Sequence, residues 1–312
     1  MIKQIKKAAT NWRLALRFFH AMFNQGYLPL NLDFHITKRC SLKCAHCYAN
    51  LESLKNNQDY SLDEIKHIVD QAYAMGVRWI RLLGGEPLIR NDVGEIIRYI
   101  KLKKIFCELN TNAVLIPRKL EEIAPVDAIC ISIDGPREEN DMIRGKGSFD
   151  QIMAGIEAAV GAGHTPRLHA VVTRHNLYTI EAMNLIASKY GLRFNYNHCA
   201  LEEYPDASLN LTKEESREFC RKLLEAKKKG CRISNSAACI RLMSKWPFDF
   251  NVVSYDYVEM HPEVKKFLPE CQMCNKAVYL DADGHVYACP RRWKKRDQHT
   301  RGRPRKGMEI HG

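Results

Sequence analysis

From residue 31 onward the chain alternates between two hydrophobic rhythms. Short runs dominated by apolar and β-branched residues fall at Leu32–Thr37, Trp79–Leu83, Ile105–Asn110, Ala128–Ile133, Arg167–Thr173 and Arg193–His198, and such runs between turn residues predict strands. Between them, apolar positions recur at helical spacing over Ser61–Met75, Asp92–Lys104, Phe149–Ala162, Thr179–Tyr190 and Thr212–Lys229. Several of these segments close on glycine (Gly76, Gly163, Gly191, Gly230), the residue that most readily takes the left-handed turn ending a helix. Ser61 followed by Glu64 predicts a capping box. Six strands alternating with helices imply right-handed βαβ units and a parallel sheet covered on both faces. Six units are too few for an eight-fold barrel, so the predicted fold is α/β, a partial (β/α)6 TIM-like barrel over residues 31–230.

The flanks break this rhythm. Residues 2–24 place Ile5, Ala9, Trp12, Leu16, Phe19 and Phe23 at spacings of four and three, with Lys6, Arg13, Arg17 and His20 off the stripe, which predicts an amphipathic basic helix within residues 1–30. Its stripe is expected to dock on the main domain, with contact to an anionic membrane surface as the alternative. Residues 231–270 read as irregular. Residues 277–288 then read as two short strands around the turn Asp283-Gly284, a small C-terminal cluster-binding extension within residues 231–312.

Composition adds chemistry to this outline. Six of the 12 cysteines fall in two tight groups, Cys40/Cys44/Cys47 and Cys271/Cys274/Cys289. Neither a secretory signal nor an apolar run of membrane-spanning length is readable, so the expected location is cytoplasmic, where clustered cysteines read as metal ligands rather than disulfides. The net charge of +12 invites a nucleic-acid reading. However, residues 1–20 hold five basic and no acidic side chains, and residues 291–306 hold nine basic and one acidic, so the remainder carries −1. The body offers no broad basic face by count.

The first cysteine group lies in Thr37-Lys-Arg-Cys40-Ser-Leu-Lys-Cys44-Ala-His-Cys47, directly after the first strand, where parallel α/β proteins place their sites. Three thiolates on one loop suit a cubane with one iron left open, and the open iron can chelate an amine and a carboxylate. A structural zinc site with His46 as fourth ligand is the competing reading. The Cys-x3-Cys-x2-Cys spacing resembles the signature of the radical S-adenosylmethionine (radical SAM) superfamily. Four further segments at successive strand ends are similar to that family's motifs.

Gly84-Gly85-Glu86-Pro87 resembles the element whose backbone and acidic group receive the methionine ammonium. Asn112 resembles the asparagine of the family's third-strand element, and Ser132 and Asp134 resemble groups near the ribose and methionine. Arg144 resembles the arginine that pairs the methionine carboxylate. His46 stands where the family commonly has an aromatic residue that stacks on adenine. The resemblance implies a 4Fe-4S cluster on Cys40, Cys44 and Cys47. It also implies S-adenosylmethionine as cofactor, reductive cleavage to a 5′-deoxyadenosyl radical, and an electron donor such as flavodoxin or ferredoxin.

Cys271-x2-Cys274 with Gly284 and Cys289 resembles the opening of the family's SPASM and twitch extensions, which implies a second Fe-S cluster. No cysteine follows Cys289, so either this is a three-cysteine twitch-type site or the basic tail belongs to a truncated end; zinc, with His285 as fourth ligand, is a further reading of this group. The implied substrate is a peptide, a protein or a cofactor precursor. An RNA-modifying enzyme of the same family and a non-catalytic zinc-binding interaction protein are the alternatives. Asn195, Asn197 and Cys199, at the end of the sixth strand, are candidates to face the substrate.

Overall fold

The computed structural model describes residues 12, 14–20, 23, 28–47, 59–198, 207–246 and 273–287. Strands β1 (Asn31–His35), β2 (Trp79–Leu83), β3 (Phe106–Thr111), β4 (Ala128–Ser132), β5 (Arg167–Val172), β6 (Arg193–His198), β7 (Ala277–Leu280) and β8 (Val286–Tyr287) form one sheet. Its order is β6-β5-β4-β3-β2-β1-β7-β8. All neighbours are parallel except β7 and β8. The six strands expected from sequence are thus joined by a seventh parallel strand. That strand is the first half of the C-terminal hairpin, and it pairs with β1 in the register Asn31↔Ala277 to Phe34↔Leu280.

The helices are α1 (Leu62–Ala74), α2 (Val93–Leu102), α3 (Leu120–Ile123), α4 (Arg137–Arg144), α5 (Ser148–Gly161), α6 (Ile180–Lys189), α7 (Lys213–Lys228), α8 (Ala237–Ser244) and α9 (Met273–Lys276). The starts of α1 and α7 are set by reciprocal capping boxes, Ser61 with Glu64 and Thr212 with Glu215, which satisfy amide groups that a helix N-terminus leaves unpaired. The short, polar α4 carries no helical periodicity of apolar residues, and α8 falls inside the stretch expected to be irregular. Beside α8, Ile233 bridges Phe194 of β6.

Each of β1–β6 buries one face against helices: Leu32, Phe34, Ile80, Leu82, Leu109, Ile131, Leu168 and Phe194 are wholly or nearly solvent-free and share a core with Ile65, Ile96, Ile97, Ile152 and Met183. Parallel partners in register project to the same side of a sheet. The opposite, concave face therefore carries Asp33, His35, Arg81, Glu108, Asn110, Cys130, Ser132, Arg167, His169 and Asn195. Its floor is an ion-pair chain in which Arg81 binds Asp33 at 2.9 Å and Glu108 at 3.4 Å, and Arg167 binds Glu108 at 2.9 Å. A polar concave face above a paired floor suits a polar molecule rather than more core.

Candidate functional site

The cysteine loop leaves the C-terminal end of β1, and its start is pinned before the first thiol. Asp59 accepts from the Thr37 hydroxyl at 2.8 Å and from Arg39 Nε at 2.9 Å. The glycines after β2 then meet the loop edge-on. The Gly85 and Glu86 amides donate to the Thr37 and Arg39 carbonyls at 2.9 and 2.8 Å. A Cβ on Gly84 would lie 2.4 Å from the Thr37 oxygen, and one on Gly85 would lie 2.4 and 2.5 Å from the Arg39 and Lys38 oxygens. The close approach that requires glycine here is to the cysteine loop's own backbone.

Glu86 is fully buried and ties the third strand end to the second. Its Oε1 accepts from the Leu88 amide at 3.0 Å and the Thr111 hydroxyl at 2.8 Å, and its Oε2 from the Asn112 amide at 2.7 Å. Burial pushes its carboxyl up to about 6 against the pull of those donors. Pro87, also buried, opens the short turn that follows. Asn112 in turn directs Nδ2 at Cys40 Sγ, 3.8 Å away, and at Ser41 Oγ, 3.4 Å away.

Across the loop, Asp134 joins two elements that sequence alone could not connect. His46 Nε2 lies 2.7 Å from its Oδ2, and Arg144 Nε forms an ion pair with the same oxygen at 2.7 Å. The Val171 amide donates to Oδ1 at 2.8 Å. Burial would raise this carboxyl, but Arg144 and His46 outweigh it and hold it well below the usual carboxylate range. Arg144 also points Nη1 at Cys44 Sγ, 3.9 Å away, and the Ile143 carbonyl accepts from the Ala45 amide at 2.8 Å. Helix α4 thus carries both a backbone and a charged contact to the cysteine loop. Burial pushes the Cys44 thiol up to about 11, with Arg144 opposing, and raises Cys40 as well.

The structure therefore brings together Cys40, Cys44, His46, Glu86, Asn112, Asp134 and Arg144. Ser132 stands one step below Asp134 on β4, in register with His169. Cys199, Cys271 and Cys289 lie outside the described residues. Cys274 falls in α9, which leads directly into β7. Two buried asparagines, unremarked in the sequence, hold Asp134 in place: Asn140 Oδ1 accepts its amide at 3.1 Å, and Asn176 donates to its carbonyl at 2.7 Å. On the concave face, Asn195 and the His169 ring nitrogen are 2.9 Å apart, and His35 Nε2 lies 2.5 Å from the Tyr279 hydroxyl of β7. Burial holds the two histidines down to about 4 and about 3, so both are neutral near pH 7. Period-two alternation in the strands was the available signal for these residues.

The Radical SAM superfamily matches residues 34–184, the span from β1 into α6. The chain carries a radical SAM domain. Mycofactocin maturase MftC of Mycolicibacterium smegmatis is 33% identical over 168 residues, 52% of this chain and 43% of the relative. Fe-coproporphyrin III synthase of Methanosarcina barkeri is 31% identical over 204 residues, 63% of this chain and 51% of the relative. The chain spans about half the length of these curated relatives. Among solved structures, Streptococcus suis SuiB superposes with a TM-score of 0.68 at 17% identity, covering 87% of this chain and 63% of that one, a likeness of fold.

The thiols of the radical SAM domain suit an iron–sulfur cubane. A cubane meets three separate thiols with three separate irons and leaves the fourth iron open. Arg144 and the Asn112 side-chain amide, a cation and a donor beside these thiols, are suited to a charge-bearing cluster and to a carboxylate beside it.

The C-terminal hairpin reaches this same loop. Lys38, two residues before Cys40, pairs with Asp281 at 3.6 Å and Asp283 at 3.3 Å, and the Tyr60 hydroxyl donates to the Asp281 carbonyl at 2.8 Å. Burial, with Asp283 adding to it, raises Asp281 to about 6 despite Lys38.

Proposed function

We propose that the chain is a radical SAM enzyme that holds a 4Fe-4S cluster on Cys40, Cys44 and Cys47 and modifies a peptide, a protein or a cofactor precursor. When bound, the cluster would supply the electron that reductively cleaves S-adenosylmethionine to the 5′-deoxyadenosyl radical. The observation that carries the reading is the pair of contacts from Asn112 to Cys40 and from Arg144 to Cys44, made from the end of β3 and the end of α4 onto one cysteine loop.

The roles of the protein side chains follow from their surroundings. Arg144, oriented by Asp134, keeps Nη1 at the thiol side, where a ligand carboxylate would complete a two-pronged pair. Glu86 Oε2 has one donor and capacity for a second, which suits an ammonium group. The Gly84–Pro87 segment presents backbone to that group. His46, held by Asp134, would offer a ring face to adenine, and Ser132, in register with His169, would face the ribose. The concave face with His169, Asn195 and His35 would receive the substrate, and its hydrogen-bonding groups suit an amide-rich or heteroatom-bearing molecule.

Peptide and cofactor-precursor substrates are supported by the likeness to a mycofactocin maturase and to an Fe-coproporphyrin III synthase. A solved neighbour, SuiB, is bound to its precursor peptide SuiA. Cys271, Cys274 and Cys289 would hold a second cluster, and α9, which leads into β7 beside the N-terminal end of β1, supports placing it at the strand end opposite the Cys40 loop. A reduced thiol environment, the cytoplasm, and a flavodoxin- or ferredoxin-type donor complete the reading. Among the described residues no helix is long and apolar enough to cross a membrane.

Anaerobic reconstitution with iron and sulfide, followed by dithionite and S-adenosylmethionine, is expected to yield 5′-deoxyadenosine. The triple change of Cys40, Cys44 and Cys47 to Ala should reduce that yield to background. Cleavage that persists in the triple variant, or a colourless zinc protein after anaerobic purification, would overturn the assignment.

A further inference from the structure

The amphipathic stripe near the N-terminus does not dock as its pattern suggests. Residues 14–20 are helical and lie at the N-terminal end of the sheet, opposite the cysteine loop. Contact is made by the flank of the stripe: the Phe18 ring centre is 6.3 Å from that of Trp79, the first residue of β2. The Arg17 guanidinium lies on Gly76, where a Cβ would come within 2.0 Å of Nη2. Trp12, Leu16, Phe19 and Phe23 are left 63, 49, 62 and 73% exposed. Their spacing of four, three and four puts them on one helical face, and the Phe19 and Phe23 rings are 5.0 Å apart. Of the stripe's described residues, Trp12, Phe19 and Phe23 face water and Leu16 borders the barrel, while Arg17 and Phe18 beside the stripe meet Gly76 and Trp79; Ile5 and Ala9 lie outside the described residues.

A cavity of about 300 Å³ opens where the segment meets the barrel, lined by Leu16, Arg17, His20, Tyr73 and Arg78. No acidic residue is among these five. Arg17 Nε is buried with no hydrogen-bond partner, and the Arg78 guanidinium sits 4.0 Å from the Tyr73 ring centre. Residues 1–20 contain five basic and no acidic side chains. An exposed aromatic stripe beside a cavity lined by Arg17 and Arg78 is the combination that an anionic bilayer surface satisfies, apolar side chains entering the interface and arginine taking phosphate. A second copy of the chain would bring the same positive charge against itself, and a free anion would leave the stripe in water.

We propose that this end of the molecule is a peripheral membrane-binding face. The Trp12–Leu16–Phe19–Phe23 stripe enters an anionic lipid surface, and the cavity between Arg17, His20 and Arg78 receives a lipid phosphate. The cysteine loop, at the other end of the strands, then faces the aqueous phase. The inference does not depend on the catalytic reading.

The test is flotation of the full chain with vesicles of equimolar phosphatidylglycerol and phosphatidylcholine, against phosphatidylcholine alone. Binding is expected to be at least about tenfold stronger to the anionic vesicles and to weaken as salt is raised. The double change Phe19→Glu with Phe23→Glu should reduce it by about tenfold or more, and Arg17→Ala by several-fold, with an unchanged far-ultraviolet circular dichroism spectrum in both. Equal binding to both vesicle types, or binding indifferent to Phe19→Glu/Phe23→Glu, would contradict the proposal. So would a dimer in light scattering that this double change dissolves, or saturation of the cavity by inorganic phosphate with no affinity for vesicles.

Discussion

Asp134 is fully buried, with Arg144 and His46 against one carboxylate oxygen and the Val171 amide against the other. Replacing it by Asn removes the charge that Arg144 and His46 face while keeping the shape. Breaking a buried pair of this kind leaves uncompensated charge and costs about 3–5 kcal/mol, which chemical denaturation of Asp134→Asn would measure. The sign of the pH effect follows from the lowered carboxyl. Its stabilisation is fully present above the unfolded value of about 3.9 and is lost as pH falls towards the folded value. The wild-type protein should therefore lose stability below about pH 4 more steeply than Asp134→Asn. Identical acid limbs would count against the hub. A second substitution tests the glycines after β2. Gly85→Ala drives a Cβ into the Arg39 and Lys38 carbonyls, a clash with backbone that costs about 1–3 kcal/mol and displaces the cysteine loop. Iron bound per chain after reconstitution should fall several-fold, and full iron content would refute the role given to that contact. At this scale the sequence named the participants of the site but not their partners: motif spacing pointed to Glu86 and Arg144, while Asn140, Asn176 and Asp59 acquire meaning only through folded contacts.

The capping boxes at Ser61 and Thr212 were readable because their chemistry is local, a side chain and an amide three residues apart. Each of Ser61→Ala and Thr212→Ala is expected to cost about 1 kcal/mol, and Thr212→Ala should leave iron content unchanged, whereas Ser61 lies two residues from Asp59, which holds Thr37 and Arg39. A loss of iron with Thr212→Ala would show that the loop depends on a helix end far from it. Strands with dense apolar runs and helices with a clear apolar stripe fell within a few residues of their expected bounds. Helix α4, Arg137–Arg144, was missed because its eight residues are almost all polar, although its last residue supplies the arginine of the site. The pairing of β7 with β1 joins residues about 246 positions apart, as Asn31↔Ala277 does, and nothing in either segment encodes that register locally.

The whole molecule divides its properties between the two ends of one parallel sheet. The C-terminal edge gathers the cysteine loop, the Glu86 and Asp134 networks and the Lys38 link to the C-terminal hairpin. The N-terminal edge carries the exposed aromatic stripe and the cationic cavity. Fold class was legible because strand–helix alternation constrains topology strongly. The direction of the N-terminal stripe was not, because an amphipathic pattern states that a face is apolar without stating what covers it. The central claim is that the iron left open by Cys40, Cys44 and Cys47 binds S-adenosylmethionine. The most direct measurement is the electron paramagnetic resonance spectrum of the reconstituted, dithionite-reduced protein with and without S-adenosylmethionine. The account predicts a reduced 4Fe-4S signal that changes shape when S-adenosylmethionine is added, and that survives in Cys271→Ala/Cys274→Ala/Cys289→Ala but not in Cys40→Ala/Cys44→Ala/Cys47→Ala. A signal indifferent to S-adenosylmethionine, or one that responds to it after the first three cysteines are gone, would contradict it.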